Sequence, residues 1–335
     1  KSHYLPMTTL TTPHDLLAAV PFLVGYQPEN SLVLIGLKDD LVGMAMRVDF
    51  PTDFDSEQID NLVAHLERDQ AESALLVAYL PDQILECESL LEAIKDALSI
   101  RNINLREAIV VKAGRWRSSI CADSECCPIE GNPLPVLSDS RIAAEQVALG
   151  NPLPFQDLNE LVESISHISA DPDLLEVINS VPTIDYDDDP KLLQREGAEA
   201  VMDLVNEFET GGISKNQELI ALVLVRLHDL QVRDFALGSI CSENIDLYWN
   251  LWRWLLRIAP SGYIAPVATL FAATSYEKGE GALAQRALDR AQSYDEKYPL
   301  AKLLRQVFNA GWPPETFATM RADLHPKICD ALFSE

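Results

Sequence analysis

Up to Lys112 the sequence alternates apolar runs rich in β-formers with amphipathic segments of helical period, and after Pro190 that alternation stops. Residues 31–37 (SLVLIGL) and 41–50 (LVGMAMRVDF) read as strands separated by a polar turn, Lys38-Asp39-Asp40. The first run is apolar nearly throughout, which suits a strand covered on both faces. Residues 74–80 and 105–112 are further strand runs, separated by helical patterns at 56–69 and 84–99. Ahead of them, Thr12 and Pro13 supply an N-cap and first-turn pair for a short helix, and Asp53 or Asp55 stands where a cap for the 56–69 helix belongs. The order is therefore α-β-β-α-β-α-β. Strands separated by helices of this length imply a mixed, mainly parallel sheet with helices on its faces, the early hairpin supplying the antiparallel part.

From 191 onward only helical patterns occur, among them 245–258, 281–294 and 299–309, with a final short pair after Pro314. Ala272, Ala284, Leu288 and Ala291 fall roughly where a tetratricopeptide repeat packs its small and large residues, although only one such unit is present. The expected organisation is a mixed α/β domain over 1–135, a helical connection and acidic linker over 136–190, and an all-helical, repeat-like domain over 191–335. Within the linker, Asp189-Pro190 is read as an N-cap and first-turn pair rather than as part of a cation site.

Charge narrows the partners. The chain has 52 acidic against 26 basic residues, a net −26, so its summed field repels nucleic acid and anionic membranes. No apolar run approaches the roughly 20 residues of a membrane span, residues 1–6 lack a signal pattern, and six cysteines are too few for a disulfide scaffold. A cytoplasmic protein with mostly reduced thiols is expected. Cys87, Cys241 and Cys329 sit singly and read as small buried hydrophobes.

Residues 114–135, GRWRSSICADSECCPIEGNPLP, gather three of the six cysteines, a tryptophan between two arginines, and a Gly/Pro turn. Cys121, Cys126 and Cys127 are candidate ligands for zinc, although C-x4-C-C lacks the usual C-x2-C spacing and no histidine lies nearby to complete a tetrahedron. A disulfide within the turn is geometrically accessible but disfavoured in a reducing compartment. A reactive thiol needs an electropositive setting, which Arg115 and Arg117 are placed to supply. The structural alternative has Trp116, Ile120 and buried cysteines plugging the sheet edge while the prolines fix an exit loop. Free, bridged and metal-bound thiols all stay open at this point.

Other candidates are Asp49, which ends a strand two residues after Arg47, and the group Tyr248, Trp249 and Trp252, where Tyr248 and Trp252 share a helix face and offer a partner groove if exposed. Neither phosphate-loop signature, GxGxxG or GxxxxGK[ST], is present, and no hydrolase, metalloprotease or kinase motif occurs.

The segments LLAAVPFLVGYQPENSLVLIGL, RVDFP, GRWRSSICADSECCPIEGNPLP and APSGYIAPVATLFAATSYEKGEGALAQRALDRA together resemble the actinobacterial family known as domain of unknown function 4192. The resemblance implies a bacterial, cytoplasmic protein and a family pattern that includes Cys121, Cys126, Cys127, Pro128, Gly131 and Pro133. It carries no activity, cofactor or catalytic residue. The resulting expectation is a non-enzymatic interaction or assembly module with a protein partner or self-association and no required cofactor. The alternative is an enzyme using Asp49, Arg115 and Cys121 at strand ends, with a thiol- or metal-dependent step.

Overall fold

The structure is a computed structural model and describes residues 10–51, 53, 55–168 and 172–334. Two compact units divide it, one ending at Leu161 and one beginning at Val162.

In the first unit, α1 (Pro13–Val24) starts as its sequence predicts, with the Thr12 hydroxyl accepting from the Asp15 amide and Pro13 in the first turn. Strands β1 (Ser31–Lys38) and β2 (Leu41–Asp49) form the expected hairpin. Its two turn residues, Asp39 and Asp40, take φ of 48° and 63°, the left-handed pair that matches strand twist in a two-residue turn. Asp55 caps α2 (Ser56–Arg68) through the Gln58 amide at 2.7 Å. Then follow β3 (Ser73–Tyr79), α3 (Glu88–Ile100), β4 (Asn104–Lys112), β5 (Arg115–Ser118) and the two-residue β6 (Asn132–Pro133).

These strands make one mixed sheet in the order β2-β1-β3-β4-β5-β6. Only β3 and β4 pair in parallel, so the expectation of a mainly parallel sheet is corrected. The reason is topological: β3 enters beside β1 instead of β2, running against it, the short β5 returns against β4 by a tight turn, and β6 comes back against β5 after the loop 119–131.

Period-two alternation splits the core into two layers. Leu32, Leu34, Leu76, Ala78 and Val110 face α2 and α3, whereas Val33, Ile35, Val77, Tyr79, Ile109 and Trp116 face α1. Ile142 of α4 (Arg141–Ala148), capped by Ser140, is buried in the second layer, and Tyr26 bridges to Phe155. Residues 141–155 thus pack with the α/β unit. Helix α5 (Leu158–Glu163) follows.

The second unit is helical: α6 (Pro172–Ser180), α7 (Lys191–Gly211), α8 (Gln217–Arg226), α9 (Leu230–Gly238), α10 (Ile245–Ile258), α11 (Ile264–Glu277), α12 (Gly281–Tyr294), α13 (Pro299–Asn309) and α14 (Pro314–Phe333). At its centre is α11, buried at every position from Ile264 to Ser275, as a helix apolar on all sides must be. Thr269 and Thr274 satisfy their hydroxyls on the Pro266 and Leu270 carbonyls at 2.7 Å each. Ala272, Ala284, Leu288 and Ala291 are all buried in the α11–α12 hairpin. Close helix contact explains Gly197, where a β-carbon would stand 2.8 Å from that of Arg226.

Helix α6 lies just before the acidic stretch. Two local expectations change. Helix α14 runs through Pro326 as one helix rather than a short pair. Pro190 itself takes the N-cap position of α7, while Asp189 Oδ1 accepts from the Lys191 amide at 3.0 Å, so the cap acts one residue later than the sequence pairing implied. The acidic stretch is tied to helices of its own unit, with Tyr186 donating to Asp229 at 2.7 Å and Arg226 donating to the Pro182 carbonyl at 2.5 Å.

Candidate functional site

The cysteine loop leaves the sheet at the end of β5. Trp116, buried in the α1-side layer, anchors that strand and meets His14 edge-on at 5.2 Å between ring centroids. Beyond it, the Ser118 hydroxyl donates to Glu107 at 2.6 Å and accepts from the Ile120 and Cys121 amides at 3.2 and 3.1 Å, which turns the chain off the sheet. Asp123 then organises the return. Its carboxylate accepts from the Glu125 amide at 2.9 Å and its carbonyl from the Cys127 amide at 2.8 Å. Asn132 donates to the Cys126 carbonyl at 2.9 Å, and Arg115 donates to the Glu130 and Gly131 carbonyls. Gly131 has φ +73°, and a β-carbon on it would lie 2.9 Å from the Trp116 carbonyl oxygen, so this tight passage admits only glycine without strain.

The outcome is convergence of three thiols. The sulfurs of Cys121, Cys126 and Cys127 all lie within 4.8 Å of one another. In a tetrahedral site with Zn–S bonds of about 2.3 Å, sulfurs stand about 3.8 Å apart, so small rotamer adjustments close the set on one ion. The adjacency of Cys126 and Cys127 does not prevent this, because the Asp123 turn folds the pair back over Cys121. No histidine or carboxylate of the described residues joins the group, so three donors are what the loop could offer an ion.

None of the six cysteines is bridged, and none of these three is buried, so the picture of buried cysteines plugging the sheet is corrected. Cys127 alone is rooted, packing against the layer that holds Trp116, Leu134 and Leu137. Ile120 is 50% exposed and Ile129 89% exposed, so neither serves the core. Elsewhere Cys87 is buried as expected, Cys329 is half-buried, and Cys241 is exposed outside any helix.

The crowded thiols resist ionisation. The Cys126 thiol is pushed up to about 11, first by its hydrogen bond with Cys127, then by the charge of that sulfur and of Cys121. The arginines that were to lower it are engaged elsewhere. Arg115 is spent on backbone carbonyls and Arg117 pairs with Glu88 at 3.1 Å. A metal ion bound there would remove that repulsion and take the same three sulfurs as ligands.

The strand-end site imagined from Asp49, Arg115 and Cys121 does not assemble. Asp49 ends the edge strand β2, whereas the thiols follow β5; four strand spacings of about 4.8 Å put these about 19 Å apart. Asp49 pairs with Arg47 at 2.6 Å and its side chain is 90% exposed. In the helical unit Tyr248 and Trp252 are buried, which withdraws them from any partner surface. Trp249 is half-buried, its ring flanked by Arg253 and Lys278 and its N–H donated to Glu280 at 2.6 Å. Sequence reasoning overlooked Ser118, Asp123 and Asn132, although Asp-x-Glu after a strand is a recognisable side-chain turn signal.

A family model described as domain of unknown function (DUF4192) matches residues 13–315. The chain belongs to that family. The cysteine loop, the sheet and all but the last part of the helical unit lie within the matched span of the DUF4192 family. No curated protein and no solved structure matches the chain. Among the described residues no helix is long and apolar enough to cross a membrane.

Proposed function

We propose that this chain is a metal-carrying interaction module whose α/β unit holds a thiophilic divalent ion, Zn²⁺ in the ordinary case, on Cys121, Cys126 and Cys127. The convergence of the three sulfurs within 4.8 Å carries this reading. Soft thiolate donors select zinc-like ions over magnesium or calcium, and the turn that presents them is fixed by its own hydrogen bonds. With three protein ligands, the fourth position is taken by water or by a donor brought from outside.

Two features support assembly over catalysis as the use of that position. Exposed Ile120 and Ile129 flank the thiols and offer apolar contact to a docking protein, and the acidic surface steers a basic partner. The α11–α12 hairpin, read as one tetratricopeptide-like unit, belongs to the same interpretation.

Cobalt substitution tests the metal site. Purified reduced protein titrated with Co²⁺ is expected to develop sulfur-to-cobalt charge-transfer absorption that saturates at one equivalent and collapses in Cys121→Ser and Cys126→Ser. Saturating Co²⁺ without thiolate absorption overturns the proposal.

A further inference from the structure

The helical unit groups three arginines, Arg253 and Arg257 one turn apart on α10 and Arg290 on α12. Their donors reach three successive backbone carbonyls. Arg253 Nε bonds Ser164 at 3.1 Å, Arg290 Nη1 bonds Ile165, and Arg257 Nε approaches Ser166 at 3.4 Å. Neighbouring carbonyls on one short segment hold the three guanidinium groups side by side.

What these contacts leave over is charge. Among the described residues none of the three arginines has a carboxylate within ion-pair distance, in a chain with twice as many acids as bases. Backbone carbonyls supply only partial negative charge. Arg290 Nη2 is shielded from water and has no acceptor, which is costly for a charged donor. Burial lowers the pKa of both Arg253 and Arg290, and the Arg257 charge lowers both further. Glu280 offsets this for Arg253 and Tyr294 for Arg290. The Nη groups of Arg253 and Arg257 make no hydrogen bond to the protein among the described residues.

Three partly exposed guanidinium groups with spare donors, one of them starved of an acceptor, match a small anion with several oxygens. We propose that Arg253, Arg257 and Arg290 bind a tetrahedral oxyanion, either inorganic phosphate or the phosphate group of a small ester. The surrounding field of a −26 chain opposes every anion and an extended polyanion most, so the attraction of the three local arginines prevails only for a compact ligand that stays beside them.

Isothermal titration calorimetry on the full chain at constant ionic strength tests this, with inorganic phosphate and phosphoserine as separate probes. Saturable one-to-one binding of either is expected, weakened at least about tenfold in Arg257→Gln and in Arg253→Gln. Arg195→Gln, which removes the same charge from an exposed pair with Glu199, leaves it unchanged. Circular dichroism verifies that each variant is folded, and having two variants guards against one that is not. Stronger binding of phosphoserine assigns the site to esters, and stronger binding of phosphate to the free ion. Absence of binding for both probes, or wild-type binding in both arginine variants, overturns the proposal.

Discussion

Arg115 clamps the far side of the cysteine loop by donating from Nη2 to the carbonyl of Gly131 at 2.6 Å, with its Nε on the Glu130 carbonyl at 2.7 Å. This arginine of the thiol-bearing segment therefore shapes the loop instead of activating a nucleophile. Replacing Arg115 with Gln is expected to cost about 1 to 2 kcal/mol of stability and to weaken metal binding by loosening the turn. Chemical denaturation and a metal competition assay measure the two effects.

Gly131→Ala is the sharper probe of the same turn. A side chain at φ +73° with its β-carbon 2.9 Å from a backbone oxygen forces the β5–β6 pairing apart. A loss of about 2 kcal/mol in urea unfolding is expected, together with weaker metal binding although no ligand has been altered.

Metal affinity should rise with pH. The Cys126 thiol, held up at about 11 by its neighbouring sulfurs, is protonated at neutral pH, so an entering ion must displace that proton. Apparent affinity therefore gains up to about tenfold per pH unit for each proton released. Chelator competition between about pH 6.5 and about pH 8.5, near the ordinary thiol range, reads the slope; a flat profile contradicts thiolate ligation.

Glu280 links stability of the helical unit to pH. Desolvation pushes its carboxyl up to about 7, against the opposing influence of Lys278, the Trp249 hydrogen bond and Arg253. From about pH 4.3, where the unfolded carboxyl ionises, up to about 7, the folded chain keeps a proton that the unfolded chain has lost. Stability attributable to this group thus falls as pH rises through that window, by on the order of 3 kcal/mol. Glu280→Gln keeps an acceptor for Trp249 and should remove that decline, as measured by denaturation at a series of pH values.

Much of the first unit was legible because its signals are local. Thr12-Pro13, Asp55 and the Asp39-Asp40 turn act within a few residues of themselves, and the uninterrupted apolar run of β1 announces a strand covered on both faces. The antiparallel entry of β3 beside β1 was not legible, since neither run encodes its neighbour. The cysteine loop was visible as a cluster, but its convergence depends on Ser118 and Asp123 turning the backbone. The arginine group was hidden altogether, because Arg253, Arg257 and Arg290 meet their carbonyls across 89, 91 and 125 residues.

Stoichiometric zinc binding separates a metal centre from three free thiols. Protein prepared under reducing conditions, loaded with Zn²⁺ and freed of excess, should retain one ion per chain by elemental analysis. The folded Cys121→Ser, Cys126→Ser and Cys127→Ser variants should each lose most of it. Retention near zero in the wild-type chain, or undiminished zinc in the serine variants, contradicts the account.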